Sequence, residues 1–394
     1  MVGGTLIGIK LAHIGNMAND GYATVKALRQ SGFDADLLID LSDFGMGLPH
    51  WEIHDIDGDP YKMTLSKLND YPLPEWIKVY SKEKNVFKKA TDMFRVARDY
   101  DILHCHFPTF NFIQFTKTPF LLYEAGFLRK INNYYIKEDM NRVKSHHTRY
   151  PRMNWEHFGA DAYKKAECVT WTNTDMIDMI SQVKPKSHVF IPFAIDEKRY
   201  APSSYEKHDE LRLLNPSRQC WDVKGNDKML RAFVRFIKAG YRAHLTLVDW
   251  GYVEDVSSAK AILSSVSDHV TWVAPMSKPK LIAAYHSADV VLDQFILGGS
   301  GTTGYEAMSC GKPLMIYFNE TAAKCYGEAP PCVNVKTEDE ILAGLIEMTN
   351  AEKRESLGAQ ARSFIERHLS ERVVALKLEG IYTDVCKQIW GNPR

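Results

Sequence analysis

The chain has 394 residues, of which 45% are apolar and 25% are charged, a composition typical of a globular protein. Lys and Arg together number 49, and Asp and Glu also number 49, so no net positive charge favours nucleic acid as a partner. This length suits two domains of ordinary size, each able to bury its own core.

No uninterrupted apolar stretch reaches membrane-spanning length, and the first eight residues lack the basic start of a signal peptide. The seven cysteines are odd in number and scattered, with no Cys-x-x-Cys pair. This pattern favours reduced thiols over disulfides or a zinc site. We therefore expect a soluble, cytoplasmic protein.

The beginning of the chain predicts a strand–loop–helix–strand unit. The segments are an apolar strand at 6–12, a polar loop at 13–21 that contains Gly15, an amphipathic helix at 22–30 and a second strand at 36–40. Such a unit predicts a parallel α/β sheet whose ligand cleft lies at the carboxyl ends of the strands.

The next segments are less regular. Residues 42–75 contain four prolines and are predicted to be irregular. Residues 76–100 are predicted to form a helix rich in lysine and arginine. Its basic face could meet an anionic membrane or acceptor, or could simply be solvated. Residues 128–158 are aromatic and basic without periodicity, which we interpret either as an acceptor-side excursion or as a plain surface loop.

Two predicted strands end in residues that could carry chemistry. Residues 101–106 end in His104 and His106, and residues 119–124 end in Glu124. We expect the two histidines to point to opposite faces of the sheet. A satisfied core position is the commoner role of a histidine on a strand.

Strand patterns return at 168–172 and 188–192, and the polar residues 196–209 then predict a linker. Beyond it, strands and helices alternate again. The predicted segments are strands at 211–214, 243–248 and 270–273, a helix at 224–238, an apolar segment at 281–286, and final helices at 351–368 and 371–390.

The stretch 298–313 organises the second half of the chain. It is rich in glycine and lies between two short apolar segments of strand length. Thr302 or Thr303 can cap a helix whose first turn holds Glu306. A strand, a glycine loop and a helix N-terminus present free N–H groups and a partial positive charge, so the stretch predicts a diphosphate site.

Three hypotheses compete for this stretch. In the first, the glycines only make a tight turn and Glu306 complements the helix dipole. In the second, Gly-x-Gly-x-x-Gly at 299–304 binds a dinucleotide such as NAD(P), with Glu320 on its ribose. In the third, the amides around Gly299 and Gly301 hold the diphosphate of a nucleotide sugar, and Glu306 holds the ribose.

These motifs resemble those of the group 1 family of retaining glycosyltransferases. The segments that match in order are the strand 101–106, the segment 189–196 before the linker, Ser217-Arg218 with Lys224-Gly225, and Gly299-Ser-Gly301, Glu306-Ala-Met308 and Gly311-Lys-Pro313. The resemblance covers nearly the whole chain. It implies an α/β fold of two Rossmann-like, doubly wound domains that face each other across a cleft, the GT-B architecture.

The resemblance also implies a division of the chain and of the chemistry. Residues 1–195 would form an acceptor-side domain and residues 196–370 a donor domain. Residues 371–394 would form a helix that crosses back to the first domain. The expected activity is sugar transfer from a nucleotide-diphospho-sugar, with retention and without a metal or a cofactor. The acceptor, which could be a glycan, a lipid-linked sugar or a small molecule, would bind near Gly15 to Gly21, Glu124 and the basic and aromatic residues 129–152.

The residues expected to act fall into two groups. Arg218 and Lys224 would stabilise the leaving diphosphate, with His106 in the cleft. The donor would be bound by the glycine loop and the helix that follows it, at Gly299, Gly301, Thr302, Thr303 and Glu306.

Two positions depart from the family pattern. The first glutamate of the donor motif falls on Gly298, and the first-domain histidine of the family falls on Ala125, where the adjacent Glu124 is a substitute candidate. A non-catalytic nucleotide-sugar binder therefore remains an alternative, beside the NAD(P)-dependent oxidoreductase.

Overall fold

The structure is a computed structural model that describes residues 8–41, 47–56, 68–83, 85–106, 110–126, 161–203 and 208–391. Within these residues, two parallel sheets are each flanked by helices. No helix in these ranges is long and apolar enough to cross a membrane.

The first sheet has seven parallel strands. They are β1 (Lys10–Ile14), β2 (Asp34–Asp40), β3 (Ile77–Ser81), β4 (Ile102–His106), β5 (Phe120–Glu124), β6 (Val169–Trp171) and β7 (His188–Phe190). Their order across the sheet is β3-β2-β1-β4-β5-β6-β7, so the order reverses between β1 and β4. In open sheets of this kind, ligands bind at the carboxyl ends of the strands beside the reversal.

The helices of the first domain are short, apart from two. They are α1 (Asp20–Gln30), α2 (Pro49–Ile53), α3 (Val86–Ala97), α4 (Phe110–Ile113) and α5 (Ile177–Gln182), with 3-10 turns at Met17–Asn19 and Thr174–Met176. Asn85 fixes the start of α3 because its side chain accepts hydrogen bonds from the backbone N–H groups of Phe87 and Lys88.

The second sheet has six strands in the described residues. They are β8 (Leu211–Asn215), β9 (Ala243–Val248), β10 (Val270–Val273), β11 (Val290–Leu292), β12 (Leu314–Ile316) and β13 (Val333–Asn334). Their order is β10-β9-β8-β11-β12-β13, with the reversal between β8 and β11. The loops that follow β8 and β11 therefore lie side by side at the carboxyl edge.

The remaining helices cover this sheet and end the chain. They are α6 (Trp221–Lys224), α7 (Asn226–Lys238), α8 (Val253–Leu263), α9 (Lys278–Ser287), α10 (Thr302–Ser309), α11 (Thr321–Tyr326), α12 (Glu338–Glu347), α13 (Ala351–His368) and α14 (Glu371–Trp390). A 3-10 turn at Ser264–His269 precedes β10.

The final helix, α14, packs on the first domain although it follows the second in sequence. Its side chains Val374, Leu378 and Tyr382 belong to the apolar core that also contains Leu28 of α1. Burial of apolar surface stabilises such a contact by about 25 cal/mol for each Å² removed from water. The last helix thus ties the two domains together.

The two domains also meet directly at the cleft. Helix α2 of the first domain packs on α9 of the second. Ser277 donates to the Asp55 carboxylate at 3.1 Å, and Arg199 donates to Glu52 at 3.1 Å. Polar contacts therefore line the interface around the carboxyl ends of both sheets.

The predicted fold class, two doubly wound α/β domains, is confirmed. The expected helix over 76–100 is wrong in its first part, because residues 77–81 form the edge strand β3 and the helix begins only at Val86. The expected irregular segment 42–75 contains α2, and the first strand begins at Lys10 rather than at residue 6. The whole of the basic and aromatic stretch 128–158 lies outside the described residues.

Candidate active site

The loops after β8 and β11 are locked together by a buried carboxylate. Asp293 directly follows β11 and is fully buried. It accepts a hydrogen bond from the Lys224 ammonium at 3.0 Å and another from the Ser217 hydroxyl. In addition, the backbone N–H of Phe295 donates to the carbonyl of Lys224 at 2.7 Å. The position of Lys224 at the strand reversal is thus fixed by its partner.

Arg218 lies in the same loop but is exposed. Its neighbours in sequence are anchored, since Ser217 donates to Asp293 and the N–H of Gln219 donates to the Trp250 carbonyl at 2.8 Å. The backbone is therefore held while the guanidinium stays in solvent. Such a side chain can form a bidentate contact with a phosphate.

The glycine loop leads directly into α10. A Cβ atom at Gly304 would collide with the Ser300 hydroxyl and lie 3.4 Å from Asp293 Oδ2, so only glycine fits there. Helix α10 begins at Thr302, with Gly301 as its cap residue and no side-chain cap. The expectation that Thr302 or Thr303 caps the helix is wrong, because both lie inside it. Its first N–H groups have no partner within the helix, so they could bind an anion.

Glu306 is buried in the second turn of α10, and not in the first turn as expected. Its carboxylate forms an ion pair with Lys278 and accepts a hydrogen bond from the Tyr285 hydroxyl at 3.1 Å. Burial by itself would lower the pKa of Lys278, but the attraction of Glu306 and Glu52 outweighs it and raises that pKa. The acid that the sequence assigned to a ribose thus has a buried cation beside it.

The first domain faces this pair with the buried carboxyl group of Asp20. Asp20, at the start of α1, is 4% exposed, and its Oδ1 atom has no hydrogen-bond partner among the residues that the structure describes. Burial raises the pKa of Asp20 well above its usual range; Lys278 lowers it in part, and Glu306 raises it further. The cleft therefore brings acids from both domains around one lysine.

The glycine loop also touches the first domain. A Cβ atom at Gly299 would lie 3.1 Å from the Thr174 hydroxyl and 3.6 Å from Asp175 Oδ1. In the facing loop, Gly15 has a φ of 92° and its N–H donates to the Leu38 carbonyl at 2.9 Å. Gly15 thus shapes the turn between β1 and α1 at the carboxyl edge of the first sheet.

The expectation that His104 and His106 point to opposite faces is wrong. Residues two apart on a strand lie on the same face. Their ring centroids are 5.9 Å apart, and both rings lie beside His13 of β1, at 4.7 and 5.4 Å. All three side chains are buried.

Glu124 is fully buried at the end of β5. It accepts a hydrogen bond from the N–H of Gly126 at 2.6 Å and another from the Tyr163 hydroxyl. Ala125 lies between Glu124 and Gly126 in sequence. The carboxylate is thus engaged by the protein itself.

The predicted site residues therefore form two groups. One group lies around the strand reversal of the second sheet: Arg218, Lys224, Gly299, Gly301, Thr302, Thr303 and Glu306. The other group, Gly15, His106 and Glu124, lies at the carboxyl edge of the first sheet. Among the residues that sequence reasoning missed, Asp293 carried a signal, since an acid that ends an apolar strand before a glycine loop is an obvious candidate. Asp20, Lys278 and Tyr285 carried none.

Solved structures share this architecture across the whole chain. Sucrose-phosphate synthase from Thermosynechococcus elongatus is 15% identical with a TM-score of 0.65, covering 96% of this chain and 100% of that one. HepE from Anabaena, in complex with UDP and glucose, is 12% identical with a TM-score of 0.69, covering 95% and 100%. A putative UDP-N-acetylglucosamine 2-epimerase from Listeria monocytogenes is 12% identical with a TM-score of 0.58, covering 98% of each chain. At these identities the likeness shows the fold.

The second domain matches the model of a protein family. The family model of glycosyl transferases group 1 matches residues 198–364, which contain the strands β8 to β13 and the helix α10. The resemblance noted in the sequence is confirmed by this match, which covers the second domain. No curated protein matches the chain by sequence.

Proposed function

We propose that the chain transfers a sugar from a nucleotide-diphospho-sugar to an acceptor bound by the first domain. The observation that carries this proposal is the convergence of Lys224, the Arg218 loop and the N-terminus of α10 at one strand reversal. Two cations and a row of free N–H groups match the charge of a diphosphate.

The chemistry follows from the charge that develops on the leaving group. As the anomeric bond breaks, the diphosphate gains negative charge, and groups that stabilise it more in the transition state than in the ground state accelerate the step. Lys224 is held in place by Asp293, so it needs little reorganisation. Arg218 is free to close on the phosphates from solvent. We propose that this set acts without a metal and that the product keeps the anomeric configuration of the donor.

Uridine diphosphate is the donor nucleotide that we propose. The structural neighbour HepE is described in complex with UDP and with UDP-glucose, which supports this choice. The ribose would lie against Glu306. That carboxylate has four lone-pair positions, so it can accept from ribose hydroxyls while it keeps Lys278 and Tyr285.

Calorimetric titration with UDP tests the donor site. Arg218→Ala removes a charge-assisted contact worth about 1.5–3 kcal/mol, so UDP affinity should fall by roughly tenfold to a hundredfold. Arg242→Ala is the matched control, because Arg242 is exposed at the amino end of β9, on the opposite edge of the sheet. Glu306→Gln should weaken binding of UDP but not of its 2′,3′-dideoxy analogue. Equal affinities for UDP in Arg218→Ala and wild type would contradict the site.

Product analysis tests the reaction. Proton NMR of a fresh product should show retention, and activity should survive EDTA. UDP binding without transfer to any acceptor would instead favour the non-catalytic binder, which Gly298 and Ala125 suggest.

A peripheral membrane contact is a subsidiary hypothesis for the acceptor side. The charge available for it is reduced, because Lys78 pairs with Asp36, Lys89 pairs with Asp40, and Arg95 pairs with Asp92 on its own helix. Sedimentation with anionic vesicles would reveal the contact, and an absence of binding at low salt would exclude it.

A further inference from the structure

Five buried side chains form one continuous hydrogen-bonded chain through the first domain. His104 Nε2 lies 2.8 Å from the Thr170 hydroxyl, and His104 Nδ1 lies 2.8 Å from the Tyr382 hydroxyl. The same hydroxyl lies 2.9 Å from His13 Nε2, and His13 Nδ1 lies 3.1 Å from His106 Nε2. The chain thus runs from Thr170 through His104, Tyr382 and His13 to His106.

The three imidazoles in this chain are neutral at physiological pH. Burial lowers the pKa of His104 to about 3. Burial also lowers the pKa values of His13 and His106 well below their usual range, and the neighbouring histidines lower them further. A neutral imidazole has one N–H donor and one bare nitrogen, so each ring in the chain can donate in one direction only.

The end of the chain at Thr170 sets that direction. The Thr170 hydroxyl donates to the Leu122 carbonyl at 3.3 Å, so its oxygen is left to accept the N–H of His104 Nε2. His104 Nδ1 is then bare and accepts from the Tyr382 hydroxyl. Tyr382 has a single proton, so it must accept from the N–H of His13 Nε2.

The single proton of each neutral imidazole also determines the tautomer of His106. His13 Nδ1 is bare and accepts the N–H of His106 Nε2, which leaves His106 Nδ1 without a proton. This nitrogen is buried and has no hydrogen-bond partner within the described part of the chain. A buried polar atom without a partner costs about 1–3 kcal/mol, so the site is built to receive a donor.

The unpartnered nitrogen belongs to a residue at the edge of the sheet where the acceptor is expected. His106 is the last residue of β4, beside the strand reversal of the first sheet. Its ring stacks on Tyr123, with centroids 4.3 Å apart. Tyr123 is in turn within the electrostatic reach of Asp20, which faces the second domain across the cleft.

We propose that Tyr382 is a positioning residue that fixes His106 as the Nε2–H tautomer, so that His106 Nδ1 accepts a hydrogen bond from a hydroxyl of the acceptor substrate. The identification of that hydroxyl rests on the proposed function, whereas the tautomer chain does not. Tyr382 comes from α14, so the docking of the last helix determines which hydrogen-bonding character the first domain shows to its ligand.

Nitrogen NMR of the full chain with ¹⁵N-labelled histidine tests the tautomers. Peaks are assigned with single His13→Asn, His104→Asn and His106→Asn variants. In the wild type, all three residues should be neutral Nε2–H tautomers at pH 7. A protonated Nδ1 on His106 would overturn the proposal.

Two substitutions at a distance from His106 test the direction of the chain. Tyr382→Phe removes the central hydroxyl, and Thr170→Val removes the acceptor that starts the order. Either change releases the constraint, so the His106 signals should broaden or move toward the Nδ1–H tautomer. Tyr326→Phe is the matched control, because its buried hydroxyl bonds to Tyr305 at 3.0 Å and contacts no member of the chain. An Nε2–H tautomer that persists in both test variants would refute the role of Tyr382.

A hydroxyl probe tests what His106 accepts. Glycerol should shift the bare Nδ1 signal of His106 in the wild type, whereas 1,2-dimethoxyethane, which has no O–H group, should not. The shift should be lost in Tyr382→Phe while UDP affinity stays within about twofold of the wild type. No glycerol shift in the wild type would defeat the hydroxyl assignment. If the wild type does not bind UDP, the proposed function is wrong, but the proposed order of tautomers is unaffected.

Discussion

The two sides of the cleft, one from each domain, differ in the charge of their side chains. On the second domain, Arg218 is exposed and Lys224 is partly exposed, and both are basic side chains beside a helix N-terminus. On the first domain, His13, His104 and His106 are buried and neutral. A diphosphate carries permanent charge and needs permanent cations. A sugar hydroxyl carries none, and it is oriented by neutral donors and acceptors whose protonation is fixed by burial.

The buried acids on the two sides of the cleft also differ, in whether a cation pairs with them. Asp293 of the second domain is fully buried and has Lys224 and Ser217 as partners. Both contacts are made by Asp293 Oδ1, and Asp293 Oδ2 has no hydrogen-bond partner among the described residues. Asp20 of the first domain is almost as buried, and its Oδ1 atom has no partner there either, so the difference is the cation that pairs with Asp293. A paired buried acid fixes a loop. An unpaired one stores a cost that is tolerated only where function or the opposite side of the cleft requires it.

The largest expected effect, on both stability and UDP affinity, comes from removing the lysine that pairs with Asp293. Lys224→Ala leaves the Asp293 carboxylate buried without its cation, which should destabilise the protein by about 3–5 kcal/mol and also weaken UDP binding. Chemical denaturation and calorimetry measure the two effects. Lys238→Ala, an exposed lysine at the end of α7, is the control. Adding Asp293→Asn to Lys224→Ala should restore part of the stability but none of the affinity; full recovery of binding would contradict a phosphate contact for Lys224.

A smaller effect is expected where the family acid is missing. Gly298 has a φ of 73°, and a Cβ atom there would lie 2.9 Å from the Asn319 side chain. Gly298→Glu should therefore fail to restore a family-type acid and should cost about 1–2 kcal/mol of stability for the left-handed backbone alone. Gly380→Glu is the control, because an added Cβ meets no atom within 4 Å there. A Gly298→Glu variant that is as stable as the wild type and more active would show that the loop accepts the acid after all.

The unpaired acid should respond to pH in the direction set by its raised pKa. A carboxyl group whose folded pKa lies above its unfolded value contributes stability below the unfolded pKa and loses it as pH rises through the folded pKa. Lys278, Glu306 and Glu52 face this group, and burial is the largest cause of its shift. Asp20→Asn removes the titration, so its melting temperature should rise relative to the wild type as pH increases from about 4 upward. Asp268→Asn, at an exposed acid, should show no such trend. A constant difference across pH would contradict a buried, unpaired Asp20.

The sequence could predict the second domain's side of the cleft better than the first domain's because the motifs of the second domain are local. Gly299 to Glu306 lie within one loop and one helix, so their spacing already places them together. The strand β3 was missed because Lys78 interrupts the apolar pattern of a short edge strand, and lysine is common on such edges. The error at His104 and His106 was one of strand periodicity. It could have been avoided from the sequence alone.

Other features could not be read from sequence because their partners are far apart along the chain. Lys278 reaches Glu306 from another helix, and Tyr382 reaches His13 across 369 positions. No periodicity or motif records such contacts. They follow only once the sheets and the final helix are packed.

The smallest expected effect separates the two nucleotide hypotheses. Glu320 was the acid that a dinucleotide fingerprint would place on a ribose. In the structure its side chain is 85% exposed and its ion pair with Lys324 is an i,i+4 surface contact. Such a pair contributes about 0.3–0.5 kcal/mol, so Glu320→Ala should change stability little and UDP affinity not at all. Arg218→Ala should lower UDP affinity in the same calorimetric series. The opposite result would be tight NAD binding that Glu320→Ala abolishes and Arg218→Ala leaves unchanged. It would assign the ribose contact to Glu320, and the second domain could then no longer be interpreted as a diphosphate site built on Arg218.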